Sequence, residues 1–314
     1  MDFFQQFVQN FTLQQVANAL TQGSIYALIA LGYTMVYGVL RLINFAHGDI
    51  YMLGAFFGLI AAKLTGAFAA SQQGITVSPV ATILIFVAAM LGSALAGMFI
   101  ERFAYRPLRS APRLTVLITA IGVSMLLEYG GQMVFSPNPQ GFPDLIPERK
   151  IIETGSFSLS LVQVFIVVSA FALMWALQLL VNKTKVGRAM RAVSLDRPAA
   201  ALMGINTDNI IAFTFALGSA LAAAAGVLNS VYQPSIDPLM GVNVGLRAFV
   251  AAVLGGIGNI PGAMVGGLLM GFAEMLTIVA GYSQYRDAVA FGILILVLIV
   301  RPAGILGRSV TEKV

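Results

Sequence analysis

The sequence predicts an all-α polytopic membrane protein with about nine transmembrane helices, some of them broken or short, on three observations. Hydrophobic residues make up 58% of the 314 and charged residues only 10%, whereas soluble domains carry about 25% charged residues. The apolar residues fall into runs long enough to cross a hydrocarbon core about 30 Å thick at a helical rise of about 1.5 Å per residue. The basic residues gather in alternate connections between those runs. Backbone polar groups find no water in lipid, and the runs lack the alternation of a barrel strand, so helices are the expected form.

Taken in order, the expected spans are Val16–Leu40, Ile50–Phe68, Pro79–Ile100, Leu114–Phe135, Leu159–Val181, Ile210–Tyr232, Val244–Gly258, Gly262–Ala280 and Ala288–Val300. The seventh and ninth are short. No basic residue precedes Arg41, so the first run lacks the positive flank of a cleaved signal peptide and is expected to be retained. Basic residues in short loops mark the cytoplasmic side. The connections after odd-numbered spans hold Arg41, Arg102, Arg106, Arg109, Arg113, Lys183, Lys185, Arg188, Arg191, Arg197, Arg301, Arg308 and Lys313. The other side holds Arg149, Lys150 and Arg286, so the N-terminus is expected outside and the C-terminus inside. The longest loops, at 136–157 and 182–209, are too short for a folded domain of about 50 residues or more, which leaves residues 1–314 as a single transmembrane domain.

Composition and missing motifs exclude several functions. There is no cysteine, hence no disulfide framework and no thiolate metal site or nucleophile. A lone histidine makes no metal site, and H-E-x-x-H and G-x-S-x-G are both absent. No catalytic residue is expected. The net charge of +5 follows the membrane topology and gives no reason to expect nucleic acid. The P-loop pattern is missing and no Gly-Lys pair occurs, so ATP, if it drives the protein, must bind another subunit.

Three features can carry function. Within 182–209, Asp196 is placed as an N-cap, Pro198 in a first turn, and Gly204 as a left-handed terminator, which predicts a short surface helix. Its apolar Ala200, Leu202 and Met203, flanked by Arg188, Arg191 and Arg197, point to a docking surface for a cytoplasmic partner or an anchor for lipid headgroups. The polar runs Leu42–Asp49 and Gly255–Gly262 interrupt the helical pattern, as discontinuous helices do at transporter substrate sites, and both are expected on the inner side. Asn44, His47, Gly48, Gly256, Gly258 and Asn259 are the pathway residues this suggests, with an ordinary turn as the competing reading for His47. Thr115, Thr119 and Ser124 can add dipolar groups. Glu128, Arg247, Glu274 and Lys63 are charges inside spans, where they are expected to be paired, to snorkel or to relay protons. Pairing is favoured, and Arg247 with Glu274 is the expected couple. Small residues four apart, as in Gly92/Ala96, Ser93/Gly97, Gly218/Ala222/Gly226, Gly262/Gly266 and Gly267/Gly271, are expected to let helices pack closely.

Tyr26-Ala27-Leu28 with Gly32, Asn44-Phe45-Ala46-His47-Gly48, Glu101-Arg102, Tyr105-Arg106-Pro107-Leu108-Arg109 and Gly187-Arg188-Ala189-Met190-Arg191-Ala192 form an ordered set. Gly218-Ser219-Ala220-Leu221-Ala222, the run Ala248–Gly258, Gly262-Ala263, and Arg301-Pro302 with Gly304 and Gly307 extend it over nearly the whole chain. The set resembles the branched-chain amino acid ABC transporter permease family, and within it the LivH type. The resemblance implies a multi-pass subunit in a bacterial inner membrane, forming part of the path for leucine, isoleucine or valine. It further implies a homologous second permease, two cytoplasmic ATPases that hold ATP and Mg, and a periplasmic binding protein, with no cofactor in this chain. The ATPases would dock at Gly187–Gly204, using Gly187, Arg188, Arg191, Asp196, Pro198, Ala200 and Gly204. From the residues alone, an ion-coupled secondary transporter using Glu128 or Glu274, a channel and a membrane scaffold stay open.

Overall fold

A computed structural model of the chain describes residues 12–109, 111–154 and 157–307. Arg308, Lys313 and the Arg113 side chain, all counted in the charge bias, lie outside the described positions. In chain order the helices are α1 (Leu13–Leu40), α2 (His47–Leu64), α3 (Ala67–Gln72), α4 (Pro79–Ile100), α5 (Arg113–Phe135), α6 (Leu161–Lys183), α7 (Lys185–Leu195), α8 (Arg197–Leu202), α9 (Thr207–Tyr232), α10 (Met240–Gly255), α11 (Ile260–Val279) and α12 (Arg286–Val300).

Seven of these, α1, α4, α5, α6, α9, α11 and α12, are long and apolar enough to cross a membrane. α4 reaches that length through a π turn at Glu101–Tyr105 and a 3-10 turn at Arg106–Leu108. The two other expected spans are helices of 18 and 16 residues, α2 and α10. At about 1.5 Å per residue, α10 covers only about 24 Å of a core roughly 30 Å thick, and α2 opens on His47, Gly48 and Asp49. Several boundaries also move. Gly66, at φ +75, separates α2 from α3, so Phe68 belongs to the short helix. Gly256, at φ +105, ends α10 before Gly258. The fifth span starts at Leu161 because Ser160 and Gln163 form a capping box there.

The protein is not helical throughout. The loop after α5 holds strands β1 (Gln140–Gly141), β2 (Lys150–Thr154) and β3 (Phe157–Ser160), and β4 (Ser235–Ile236) follows α9. β2 and β3 form a hairpin, while β1 pairs antiparallel with β4, tying together the ends of α5 and α9.

α1 is the axis of the bundle. It is apolar on all sides, as a helix must be when surrounded by protein, and 89% of its most apolar stretch is buried, against 17% for α5 and 11% for α12. That difference leaves α5 and α12 on the periphery. α11 runs antiparallel along α1 at near backbone contact: a Cβ on Gly271 would lie 2.5 Å from Gly23 Cα, and one on Gly23 would lie 2.9 Å from Leu268 Cα. Backbone atoms cannot retreat as a flexible side chain can. Gly271→Val is therefore expected to cost about 3 kcal/mol by overpacking, read as a lower thermal unfolding midpoint in detergent; an unchanged midpoint would show that the seam opens freely.

The two breaks reach different depths along α1. Past Arg41, a non-glycine residue at φ +54, the chain folds back along α1. His47 then packs edge-on against Tyr33 with ring centroids 4.7 Å apart. Tyr33 precedes the end of α1 by seven residues, so α2 begins about 10 Å inside the bundle. The second break stays by the end of α1, where Gly258 faces Gly38.

Candidate functional site

The start of α2 meets the start of α10. Gly48 crosses Gly241 and Gly245 so closely that a Cβ on Gly48 would lie 2.6 Å from the Gly241 carbonyl oxygen, and one on Gly245 would lie 2.8 Å from Gly48 Cα. Beside this crossing lies a cavity of about 190 Å³. Tyr33 of α1 lines it, with Phe45, Gly48 and Asp49 around the start of α2; Ile121, Ser124, Met125 and Glu128 face it from α5, and Gly241, Val242, Gly245 and Leu246 from α10. Two interrupted helices thus present their N-terminal ends, where backbone N–H groups lack helical partners, next to a half-open chamber between the peripheral α5 and the rest of the bundle.

One polar chain crosses that chamber. The Ser124 hydroxyl lies 2.5 Å from Asp49 Oδ2 and 3.2 Å from Glu128 Oε1. Asp49 is only 2% exposed, and neither carboxylate has a cationic partner among the described residues. Asp49 was not singled out from sequence, although an acidic residue opening an apolar run was a visible signal.

The other residues expected to form a pathway are placed elsewhere. Asn44 is buried and accepts a 2.6 Å hydrogen bond from the Tyr105 hydroxyl. His47 turns from the cavity towards α1, and neither ring nitrogen makes a hydrogen bond of ordinary geometry. Thr119 spends its hydroxyl on the Thr115 carbonyl at 2.9 Å and does not line the chamber. Gly256, Gly258 and Asn259 form a turn locked by the segment after α12: Ile305 and Leu306 donate to the carbonyls of Leu254 and Gly255, and Asn259 Nδ2 donates to the Leu306 carbonyl at 2.5 Å. Of the residues proposed from sequence, Gly48, Ser124 and Glu128 reach the cavity.

Arg247 and Glu274 do meet, at 3.1 Å, within a larger network. Tyr26 donates to the second Glu274 oxygen at 2.5 Å, Arg286 reaches Glu274 at 3.2 Å, and Arg247 Nε lies 2.7 Å from Asp287. Four helices are joined: α1, α10, α11 and α12. Lys63, by contrast, is exposed at the end of α2 with its ammonium 5.5 Å from the Phe68 ring.

The 182–209 loop is more ordered than the sequence suggested. The expected helix is α8, its N-terminus capped by Asp196 accepting from the Ala199 N–H at 2.9 Å and its end marked by Gly204 at φ +82. Ala200 is buried, while Leu202 and Met203 are 88% and 82% exposed. α7 was missed altogether. Thr184 caps it by accepting from the Gly187 N–H, its Gly187, Met190 and Val193 face inward, and Arg191 donates to the Val181 carbonyl. Arg197 Nη2 donates to the Val39 carbonyl in the last turn of α1 at 3.1 Å, tying α8 to the segment that leads into the first break. Burial first, then the neighbouring Arg109 and Arg41 guanidinium groups, hold the Arg197 pKa below its usual range. Nearby, Arg106 and Arg109 both pair with Asp208, and Arg109 also with Glu101.

Residues 15–298 match the family described as branched-chain amino acid transport system, permease component. Among relatives, the chain is 46% identical over 305 residues to the high-affinity branched-chain amino acid transport system permease protein BraD of Pseudomonas aeruginosa, covering 96% of this chain and 98% of that one. It is 44% identical over 307 residues to the corresponding LivH protein of Escherichia coli, covering 96% and 97%. The ribose import permease protein RbsC of Haemophilus influenzae is 28% identical over 300 residues, with 92% of this chain and 85% of that one covered.

Proposed function

The chain belongs to the branched-chain amino acid transport permease family, and from that premise we propose that it is the permease subunit of an ATP-driven importer of leucine, isoleucine and valine. The observation that carries this reading is the match over residues 15–298, joined to relatives of 44–46% identity that are named for that transport. The cavity between interrupted helices supports it, because a zwitterion with an apolar side chain needs a chamber that is mostly apolar with a few polar groups.

In this reading the protein lies in a bacterial inner membrane, surrounded by lipid, with its N-terminus outside and its C-terminus inside. Counting the shorter α2 and α10 as crossings beside the seven longer helices gives nine passes, and the orientation rests on the basic bias of the connections. A homologous second permease completes the pore, a periplasmic binding protein delivers the substrate, and two cytoplasmic ATPases bind ATP and Mg. This chain forms and breaks no covalent bond.

The ATPases dock on α7 and α8, where Leu195, Leu202 and Met203 stand exposed beside Arg188. Caps at both ends make α8 a rigid lever, and the Arg197 bond to the Val39 carbonyl carries its displacement to the end of α1. Gly204→Val forces a β-branched residue to φ +82 and Arg188→Ala removes a docking charge. Both are expected to cut leucine uptake about ten-fold while the chain still inserts, measured with ATP hydrolysis in proteoliposomes holding the full assembly. Unchanged uptake in both variants defeats the docking assignment; failure to co-purify with two ATPases defeats the importer reading itself.

A further inference from the structure

Resting on that transport reading, we propose that Asp49 is the specificity-determining residue of the permease, accepting the ammonium group of the amino acid as it passes through the cavity. The argument begins from a shortage of donors. The Ser124 hydroxyl has one proton to give, yet it sits between two carboxylates, 2.5 Å from Asp49 and 3.2 Å from Glu128. The shorter contact takes the proton, so Glu128 Oε1 faces a lone pair. A carboxylate inside a membrane is expensive unless a cation or donors meet it. Arginine meets Glu274 in this way, but no cationic side chain lines the cavity.

A primary ammonium supplies what is missing, a positive charge and three N–H donors on one compact centre. Placed in the cavity, it bridges Asp49 Oδ2 and Glu128 Oε1 while Ser124 fixes the spacing of the two. The remaining walls suit the rest of the molecule: Phe45, Ile121, Met125 and Leu246 offer apolar and aromatic surface to a branched aliphatic side chain. The volume, about 190 Å³, falls below the roughly 300–1,000 Å³ of pockets for larger ligands, as a single free amino acid requires.

The two partners are unequal. Asp49 is anchored at the start of α2 against Gly241 and Gly245, and is buried; Glu128 is half-buried on the peripheral α5. Recognition therefore rests on Asp49, with Ser124 as the positioning residue.

The test uses the complete assembly of permeases, ATPases and binding protein in proteoliposomes supplied with leucine. Asp49→Asn is expected to lower leucine uptake by about ten-fold or more, Asp49→Glu to stay within about three-fold of wild type, and Ser124→Ala to lose about three-fold. Asp49→Asn at the wild-type rate, or Asp49→Glu as inactive as Asp49→Asn, overturns the assignment. A second measurement stands even where the asparagine variant does not assemble: infrared difference spectra of the wild-type assembly labelled with carbon-13 aspartate. Leucine delivery is expected to shift a carboxylate band that is missing from the Asp49→Glu assembly, whose glutamate is unlabelled, and 4-methylpentanoate, which lacks the ammonium, is expected to leave that band in place. No leucine-dependent shift overturns the assignment. A shift without uptake upholds it and removes the transport reading, while uptake without a shift does the reverse.

Discussion

Glu274→Ala is expected to destabilise the bundle by about 3–5 kcal/mol, because it removes the buried carboxylate of the two that pair with Arg247 and leaves only the half-exposed Asp287. Glu274 is 5% exposed and Arg247 15% exposed as side chains, so the charge left behind cannot be hydrated where it stands. Arg286 and Asp287 are 42% and 53% exposed, and water screens their share of the network, so they add little to the cost. Tyr26, fully buried, loses its acceptor as well. Glu274→Gln keeps an acceptor for Tyr26 without the charge, and is expected to cost about half as much. The network also alters what charge reversal can achieve. Exchanging Arg247 and Glu274 would set the new glutamate against Asp287 and the new arginine against Arg286, so the double reversal is expected to recover only part of the loss. Thermal unfolding in detergent decides: a Glu274→Ala variant within about 1 kcal/mol of wild type would mean that the pair is solvated and structurally idle.

The same network illustrates what sequence makes visible. The expectation that Arg247 pairs with Glu274 came from cost alone, since two opposite charges in neighbouring apolar runs have few other ways to be tolerated. Arg286 and Asp287 were hidden because they sat in a connection, where charges demand no explanation. Spans were legible because lipid imposes length and hydropathy on every segment, and α8 because Asp196, Pro198 and Gly204 punctuate it. α7 was legible in principle: Gly187, Met190 and Val193 recur every three residues between charges, but no proline or glycine marks its end. The cavity was not. Ser124 and Asp49 are 75 residues apart, and the depth at which α2 begins depends on room left for His47 by Gly32 on another helix. Hydropathy reports how long a helix is and says nothing of where along its neighbours it starts.

That depth makes Gly48 the position of largest functional consequence. α2 starts inside the bundle only because its second residue can touch the backbone of α10, and any β carbon there meets the Gly241 carbonyl at 2.6 Å and Gly245 Cα at 3.0 Å. Both obstacles are backbone in a helix, and Gly241 is itself in contact with Gly48 and Asp49 on the reciprocal side. Gly48→Val must therefore push the two helix starts apart by about an ångström or more, against interiors that resist strain. Such overpacking costs about 3 kcal/mol, which, borne by the arrangement that aligns Asp49 with Ser124, lowers its population and leucine uptake about a hundred-fold. Gly48→Ala should lose less, and shrinking the opposite wall is not available because Gly241 and Gly245 are already glycine. The seam between α1 and α11 lies apart from this crossing, so the chain is expected to insert and to keep its Arg247–Glu274 network, visible as an unfolding midpoint that falls far less than uptake does. If Gly48→Val transports leucine within about three-fold of wild type, the meeting of α2 with α10 is not what aligns the cavity, and the chamber beside it is incidental to transport.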